Sequence, residues 1–418
     1  MYCAVLQDSQ IYPQLHTEMA VVEQLLSARE KALSANARPP AIILQGGQHV
    51  STPMDYPARP FDLCVVRVYN SADGNSVLLT VRIDDTAAKV KGAAAQKFEI
   101  SDGDETELAE IKSNGEKAIF TGNEKSVASM QTPNGRLYLL HKGKGDMMVS
   151  KTLETCEVSR VSNLCFDETT YVSTLEEINS ADFAQYLLMY HWQLFLNLHE
   201  CELLYQTLGR EHFPGKVSIN LDLLIRRFNE LQFWVITEIL LCSNLSKRVN
   251  LLKKVIKIAL HAKTNQDLLS FFAIVLGISN VAISRLTQTW EKLPTKFRKM
   301  FYNFENLLDP SRNHRAYRLF VSKITSPVIP FIPLLLKDLL FAHEGNKTFF
   351  EGMVNFEKMH MIGQPLRNIR RYKEPMAAEN ASMRLAPEIL RSIRNFKVID
   401  NQRHFLYLSE KLEPRKSR

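Results

Sequence analysis

The chain of 418 residues is 45% hydrophobic and 23% charged, and its formal net charge at neutral pH is +7. This length and composition are typical of a globular protein with two or three domains, and they exclude a disordered or collagen-like chain. The modest charge, spread over short clusters such as Lys253-Lys254 and Arg370-Arg371, speaks against a dedicated nucleic-acid-binding protein.

Cysteine spacing and the N-terminal segment bear on the compartment of the protein. The six cysteines contain no Cys-x-x-Cys pair, which favours reduced thiols over disulfides or a zinc site. The opening MYCAVLQDSQ lacks the basic and apolar regions of a signal peptide, and no run approaches the about 20 apolar residues of a membrane span. We therefore expect a protein that is not secreted and works in the cytoplasm, with the nucleus and recruitment to a membrane left open.

The first 58 residues are not expected to form a domain of their own. Residues 1–35 include a helical pattern in which Met19, Val22 and Leu26 stand among charged residues. Residues 37–60 are rich in proline and glycine, which is typical of a connection. One helix has too little apolar surface to fold alone.

The period of the pattern changes to two at residue 63, which predicts β-strands. Residues 63–70 and 77–83 flank the turn residues Asp73-Gly74-Asn75 and indicate a β-hairpin. A helix is predicted over Ala87–Phe98. Later strands are predicted at residues 118–120 and 137–140. A hairpin, a helix and two strands in this order suggest an α+β ubiquitin-like unit.

A long helical region follows a polar, strand-capable linker. From Ser180 to Asn395 the apolar residues recur with helical period, as in Phe183, Leu187 and Leu188. No repeat of fixed length occurs, so we predict one large irregular α-domain rather than a solenoid. The last strand-like piece is residues 396–400.

One short helix within this region, in the stretch IPFIPLLLKDLLFAHEGNK at 329–347, has two unusual properties. It is predicted to run from Pro333 to Gly345, and its apolar side chains lie almost all the way round. Glu344 lies in the last turn, where the helix end is already negative, so its charge costs about 0.3–1 kcal/mol unless something compensates. Leu340 shares its face, because the two are four residues apart.

Sequence motifs for covalent or metal chemistry are missing. There is no phosphate-binding loop, no dinucleotide-binding glycine pattern and no nucleophile elbow. His199-Glu200 and His343-Glu344 begin like a zinc-protease helix, but the second histidine is replaced by Leu203 and Lys347. We therefore expect no cofactor and no metal, and we favour a function in protein–protein interaction.

Residues 181–415 resemble the catalytic domain of the Ras-family guanine-nucleotide exchange factors, and are most similar to the Rap-directed Epac group. The resemblance rests on several segments: Leu194 to Leu204, Arg226-Arg-Phe-Asn-Glu-Leu-Gln-Phe-Trp-Val, Ser279 to Pro294, Pro327 to Leu339, His343-Glu-Gly-Asn, Val354-Asn-Phe-Glu-Lys and Val398-Ile-Asp-Asn-Gln. Residues 63–142 look like the Ras-associating domain of the same group.

This resemblance implies a mainly α catalytic domain, a large irregular helical domain with a protruding helical hairpin, preceded by an α+β ubiquitin-like domain. It divides the chain into an N-terminal helix and Pro/Gly-rich linker with a remnant of the Ras-exchanger motif (1–58), a Ras-associating domain (59–146), a linker (147–178) and the exchange domain (179–415). No cyclic-nucleotide-binding module is found, so the chain is similar to a Repac-like member, or to a truncated product.

The resemblance also assigns roles in the helical hairpin. Residues 331–344 are similar to the arm that is wedged between the two switch segments of the GTPase. Leu340 matches the residue that fills the magnesium site, and Glu344 matches the one that accepts a hydrogen bond from the phosphate-loop hydroxyl. Phe331 and Asn346 match supporting positions at the ends of this arm.

Residues 349–371 are expected to form the returning arm of the hairpin. Helical spacing predicts that five of its apolar residues face the core. They are Phe350, Val354, Met361, Ile362 and Ile369.

Three further positions concern contact with the GTPase. Arg226 and Asn229 match positions that touch its second switch segment. The family usually has an asparagine where this chain has Leu269, which implies the loss of one polar contact to the GTPase.

Two functions of different class remain open. The first is an exchange factor that accelerates GDP release from a Rap- or Ras-family small GTPase through a ternary complex, without covalent chemistry. The alternative is a catalytically weak scaffold whose Ras-associating domain holds an activated Ras-family GTPase by strand pairing. Arg67 and Arg82, on opposite strands of the predicted hairpin, could face an acidic switch of that GTPase. Neither function involves nucleic acid, and nothing supports a hydrolase.

Overall fold

The computed structural model describes residues 42–44, 58–100, 106–141, 173, 175, 178–213, 216–373, 387–394 and 396–414. The helix predicted within residues 1–35 and most of the linker at 147–178 lie outside these ranges. Among the helices described, none is long and apolar enough to cross a bilayer.

An α+β unit with a ubiquitin-like fold comes first in the chain. Its elements are strands β1 (Ile42–Leu44), β2 (Leu63–Asn70) and β3 (Ser76–Arg82), helix α1 (Ala87–Lys97), strands β4 (Thr106–Ile111) and β5 (Lys117–Ile119), helix α2 (Val127–Met130) and strand β6 (Arg136–His141). The strand order is β3-β2-β6-β4-β5, with β2 antiparallel to β3 and parallel to β6. Alternate residues of β2, namely Cys64, Val66 and Val68, are buried against α1.

The predicted hairpin, first helix and two later strands of this unit are confirmed, but the strands β1 and β4 were not predicted. β1 lies in the stretch interpreted as a connection, and it pairs in parallel with the start of β2. β4 carries two glutamates, and its sequence TELAEI gives a weak strand pattern. Glu110 is nevertheless buried, because its carboxylate accepts hydrogen bonds from the backbone nitrogen and the hydroxyl of Thr132 at 2.7 and 2.6 Å.

The predicted mainly α domain is also confirmed. Its helices are α3 (Ser180–Asn197), α4 (Glu200–Leu208), α5 (Ile219–Leu241), α6 (Leu245–Thr264), α7 (Leu268–Ile278), α8 (Val281–Ser284), α9 (Thr287–Lys292), α10 (Thr295–Leu308), α11 (Ser311–Val321), α12 (Ile332–Glu344), α13 (Phe356–Tyr372), α14 (Pro387–Arg394) and α15 (Gln402–Leu412). Side chains of α3, α5, α6 and α7 form most of one continuous apolar core. Asn179, Asn244 and Asp267 cap the starts of α3, α6 and α7 by accepting backbone hydrogen bonds.

The strand predicted at residues 396–400 is wrong, since this extended segment pairs with no described strand. It packs along α5 instead. The ring of Phe396 stacks on Trp234 with centroids 4.4 Å apart, and the backbone nitrogen of Ile399 donates to the Thr237 hydroxyl at 2.9 Å. Side-chain contacts with a helix therefore hold a sequence whose pattern resembles that of a strand.

The two units contact each other near the start of α5 and near the segment before α15. Ile219, in the first turn of α5, is buried in the core of the ubiquitin-like unit, and Ser129 donates to Asp222 at 3.1 Å. The Asn134 side chain donates to the Asp400 carboxylate at 2.7 Å, and its backbone nitrogen donates to the same carboxylate at 3.1 Å. The ubiquitin-like unit is thus fixed against α5 and the segment before α15.

A buried polar cluster joins α3, α5 and α7. The Nδ1 atom of His191 lies 2.7 Å from Ser270 Oγ and 3.4 Å from Asp267 Oδ2, and Arg227 donates to His191 Nε2 at 2.9 Å. All four side chains are buried. Serine and aspartate share one imidazole nitrogen and arginine occupies the other, so the cluster lacks the relay order of a nucleophilic triad. We interpret it as a structural network.

His191 is expected to make the stability of the helical domain depend on pH. Burial lowers the pKa of His191 from its ordinary value of 6.5, against the opposing effect of Asp267. Near that pH the unfolded chain takes up a proton and the folded chain does not. The contribution of neutral His191 to the unfolding free energy is therefore complete above pH 6.5. It is lost as the pH falls toward the lowered pKa, by up to about 1.4 kcal/mol per pH unit.

Thermal melts from about pH 7.5 to about pH 5.5 test this dependence. His191→Gln should lower the melting temperature but flatten its dependence on pH. His360→Gln, at an exposed position on α13, should keep the slope of the unmodified chain. Equal slopes in all three proteins would contradict a role for His191.

Candidate functional site: a hairpin with an exposed apolar face

Helix α12 forms the first arm of a hairpin, and its bounds confirm the helix predicted from Pro333 to Gly345. Pro333 stands in the first turn, where a missing N–H costs nothing, and Gly345 follows the last helical residue. Leu334 and Leu339 are buried, whereas Leu340 is 43% exposed. The apolar circumference predicted from the sequence is therefore divided between a face in the core and a face in solvent.

A tight β-hairpin connects α12 to the second arm. Strands β7 (Phe349–Phe350) and β8 (Met353–Val354) pair antiparallel, and Glu351 and Gly352 between them have φ angles of 50° and 85°. Two successive positive φ values are what a two-residue hairpin turn requires, and glycine adopts one of them without strain. Asn355 then caps α13 by accepting from the Lys358 backbone nitrogen.

Exposed apolar side chains are concentrated on this hairpin. Seven large ones are more than one-third exposed: Leu340, Phe341, Phe349, Phe350, Met353, Phe356 and Met361. An apolar surface of this kind is typical of a protein-binding site. The prediction of core positions in the second arm is confirmed for Val354, Ile362 and Ile369. It is wrong for Phe350 and Met361, because Phe350 lies in the connecting β-hairpin and Met361 on the outer face of α13.

Leu340 and Glu344 project from the solvent face of α12, one turn apart. Glu344 makes no hydrogen bond or ion pair with any residue that the structure describes. Its charge is close enough to Lys358 of the second arm to raise the pKa of that lysine, although burial lowers this pKa more strongly. The buried ammonium group therefore compensates part of the unfavourable interaction between Glu344 and its own helix end.

Lys358 also fixes the tip of the hairpin. Its side chain is only 2% exposed, and its Nζ donates to the Asn346 carbonyl at 2.8 Å and to the Thr348 hydroxyl at 2.9 Å. Asn346 in turn donates through its side chain to the Ala342 carbonyl at 3.0 Å, which satisfies an otherwise unpaired group at the end of α12. Both arms and their connection are thus joined through one lysine.

Replacing this lysine tests the arrangement of the tip. Lys358→Met retains the apolar stem but removes both hydrogen bonds, so we expect a loss of about 1–3 kcal/mol in unfolding free energy. Amide hydrogen exchange should accelerate locally, at residues 346–355. Lys347→Met, at an exposed position nearby, serves as the control and should change neither quantity. Unchanged exchange in Lys358→Met would show that the tip does not depend on this side chain.

The base of the first arm is set by Phe331, immediately before α12. Its ring stacks on Phe272 with centroids 4.5 Å apart and also contacts Phe228 and Tyr317. The Phe331 backbone nitrogen donates to the Tyr317 hydroxyl at 3.2 Å. Burial raises the pKa of Tyr317, which keeps this hydroxyl neutral. The supporting position predicted for Phe331 is thus an aromatic anchor that joins α12 to α5, α7 and α11.

Arg226 and Asn229 lie on a side of α5 different from the one that carries Phe228 and contacts Phe331. They line a cleft of about 420 Å³ between this helix and the ubiquitin-like unit, together with Lys112, Thr132 and Asp400. Phe228 points the opposite way, toward Phe331, because residues two apart in a helix differ by about 200°. The structure brings Leu340, Glu344, Asn346 and Phe331 together on the hairpin, but it does not bring Arg226 and Asn229 next to them.

The position of Leu269 differs from the one interpreted from the sequence, and two structurally important side chains were not predicted. Leu269 is fully buried in the core, so in this structure it does not occupy an exposed position from which a polar contact could be lost. Lys358 and Tyr317 were not identified. A single lysine on an amphipathic helix is typical of a solvated face. No sequence signal shows that the Lys358 ammonium group reaches one backbone carbonyl and one hydroxyl oxygen.

Comparison with known proteins agrees with this architecture. Residues 182–360 match the model of the RasGEF domain. The chain is 40% identical over 415 residues to Rap guanine nucleotide exchange factor 1 of Caenorhabditis elegans, covering 99% of this chain and 38% of that protein. It is 41% identical over 339 residues to Rap guanine nucleotide exchange factor 5 of Mus musculus, covering 81% of this chain and 40% of that protein.

A third relative has a length nearer to that of this chain. Rap guanine nucleotide exchange factor-like 1 of Pongo pygmaeus is 35% identical over 435 residues, which cover 99% of this chain and 90% of that protein. The chain therefore spans less than half of the first two relatives and nearly all of the third.

Proposed function

The chain belongs to the RasGEF-domain family of Rap guanine nucleotide exchange factors, and we propose that it accelerates GDP release from a Ras-family small GTPase, preferably of the Rap type. The exposed pair Leu340 and Glu344 carries this proposal. An alkyl group and a carboxylate that forms no ion pair with a described residue stand side by side on a helix that is bordered by other exposed apolar residues. Such a surface can displace a phosphate group and its cation from a partner's site, because the carboxylate repels the phosphate and the alkyl group excludes the cation.

The proposed mechanism breaks no bond. When α12 enters between the switch segments of the GTPase, the Glu344 carboxylate repels the phosphates and competes for the hydrogen-bond donor that holds them. The Leu340 side chain occupies the place of the magnesium ion, whose charge otherwise neutralises the phosphates. By linkage, the nucleotide weakens the binding of the hairpin by the same factor as the hairpin weakens the binding of the nucleotide.

Arg226 and Asn229 are proposed to touch the second switch segment. Since both line the cleft beside the ubiquitin-like unit, a GTPase that reaches them also comes next to Gln131 and Thr132. The preferred substrate would then be selected by both units together.

A panel of GTPases loaded with fluorescent GDP tests the proposed function. We expect the chain to release GDP from a Rap protein faster than from a Ras protein, and both faster than spontaneous release. Spontaneous rates on every GTPase, from a chain shown by circular dichroism to be folded, would contradict exchange activity. They would favour the alternative of a scaffold that only binds GTPases.

A second binding activity is proposed for the ubiquitin-like unit, which resembles a Ras-associating domain. Strand β3 pairs with β2 on one side, and no described strand pairs with its other edge. Arg67 and Arg82 are exposed on the outer face of these two strands, as predicted. Arg82 is held by Asp84 through two contacts of 2.8 Å, whereas Arg67 donates to the Ser76 hydroxyl at 3.1 Å and forms no ion pair with a described residue. Arg67 therefore has the less neutralised charge.

We expect this unit to bind a GTP-loaded Ras-family protein more tightly than the GDP-loaded form. Arg67→Glu should weaken that binding about tenfold or more, and Arg82→Glu should weaken it less, because Asp84 already neutralises Arg82. Titration calorimetry is done with the chain carrying Glu344→Ala, in which the hairpin is expected to release nucleotide more slowly during the measurement. Equal affinity for both nucleotide states would contradict the proposal.

A further inference from the structure

Positive charge is concentrated in one segment of the chain. Residues 245–299 contain eleven lysines and arginines against two acidic residues, a net charge of +9, whereas the whole chain carries +7. The rest of the chain therefore sums to −2. Part of the charge is used internally, since Arg248 pairs with Glu413 at 3.3 Å in a buried contact and Arg285 donates to Ser409. Of the other basic residues, Lys253, Lys254 and Lys263 are half-buried, and the rest are exposed.

Six of these basic side chains lie around the start of α10. The Nζ atoms of Lys253 and Lys257, one turn apart on α6, lie 5.4 and 5.9 Å from the centroid of the Phe297 ring. Both lysines therefore lie close to the start of α10, and residues 292–299 around Phe297 include four exposed basic residues. We call all six the basic surface: Lys253, Lys257, Lys292, Lys296, Arg298 and Lys299.

The basic surface has little to neutralise it. None of its six members forms an ion pair with a residue in the described ranges. Like charges at Lys253 and Lys257, four residues apart on one helix face, repel each other. The positive end of the α10 dipole adds to the same field. Cations that lack an ion-pair partner among the described residues favour a polyanionic partner.

We propose that the basic surface docks on the anionic lipid headgroups of a bilayer. Tyr302, one turn after Arg298 on the same face of α10, is 63% exposed. An exposed amphipathic aromatic residue beside lysines suits the boundary between headgroups and acyl chains. The proposal goes beyond nucleotide exchange, because the surface lies on α6, α9 and α10 and contains no residue of the hairpin.

Sedimentation with lipid vesicles tests this surface. Vesicles of phosphatidylcholine with about 30% phosphatidylserine should bind the chain at about 100 mM NaCl and release it at about 500 mM, where charges are screened. Vesicles of phosphatidylcholine alone should bind little. Lys296→Glu/Lys299→Glu should reduce partitioning onto the anionic vesicles about thirtyfold or more. Glutamate in the first turns of a helix interacts favourably with the dipole, so this variant is expected to fold.

A matched variant separates a specific surface from net charge. Lys117→Glu/Arg403→Glu makes the same change in net charge at exposed sites outside the basic surface, and it should keep most of the binding. Both variants should release GDP from a soluble GTPase at the rate of the unmodified chain, so a failed exchange assay does not affect this test. Equal loss in the two variants, no binding to anionic vesicles, or binding to duplex DNA in preference to vesicles would overturn the proposal.

Discussion

Leu340→Ala is expected to slow GDP release about thirtyfold at saturating exchange factor and to leave the melting temperature almost unchanged. The leucine is 43% exposed in the free protein, so its truncation removes little internal packing. In the complex it is proposed to fill the magnesium site, and the loss of a central apolar contact in an interface costs about 2 kcal/mol or more. Fluorescent-GDP release and differential scanning calorimetry measure the two effects.

The neighbouring residue provides a matched control for this change. Leu339 belongs to the same helix but is completely buried, so Leu339→Ala should lower the unfolding free energy by about 2–5 kcal/mol. One position should therefore lose activity and the other stability. If Leu340→Ala destabilised the domain as much as Leu339→Ala, Leu340 would be a packing residue and its proposed role in exchange would be wrong.

Asp267→Ala should lower the unfolding free energy of the helical domain by about 3–5 kcal/mol. The carboxylate is fully buried, caps α7 by accepting from the Ser270 backbone nitrogen at 3.0 Å, and faces the imidazole of His191. Its removal leaves the backbone nitrogen and the hydroxyl of Ser270 without their acceptor in the core. Chemical denaturation with urea measures the effect.

Asp309→Ala is the control for the loss of an aspartate that accepts a hydrogen bond from the backbone two residues later. Asp309 is exposed and accepts from Ser311 at 2.9 Å, so its replacement should cost about 1 kcal/mol or less. A similar small cost at Asp267 would contradict the buried network.

Asp267 also affects the hairpin. The backbone nitrogen of the next residue, Leu268, donates to the Ile329 carbonyl at 2.9 Å, just before α12. Asp267→Ala should therefore also slow exchange through displacement of the α12 base.

Local periodicity was sufficient to predict most of the elements. The β2–β3 hairpin, α1 and α12 were predicted to within a residue or two, because alternating burial, turn residues and Pro/Gly helix ends act locally. β4 could not be predicted in this way, since its buried Glu110 depends on Thr132, which is distant in sequence. Residues 396–400 likewise have the composition of a strand, but tertiary contacts with α5 decide their conformation.

The candidate site was predicted from the sequence only in part. The unfavourable charge of Glu344 at the helix end and the apolar residues all round α12 indicated that one face of the helix is kept for contact with a partner. The burial of Leu339 beside the exposed Leu340 agrees with this. Helical spacing failed for Phe350 because the chain there forms a β-turn rather than a helix. The cleft that contains Arg226 and Asn229 is formed by two units, so no local pattern reports it.

The release of GDP by Glu344→Ala at saturating exchange factor is the most direct test of the hairpin mechanism. The exposed carboxylate makes no bond within the described chain, so the variant should fold with an unchanged or slightly higher melting temperature, since the unfavourable interaction with the helix end is relieved. GDP release should be at least about tenfold slower than with the unmodified chain, and Glu291→Ala, at an exposed site on α9, should give a normal rate. A normal rate in Glu344→Ala would contradict the role assigned to this carboxylate.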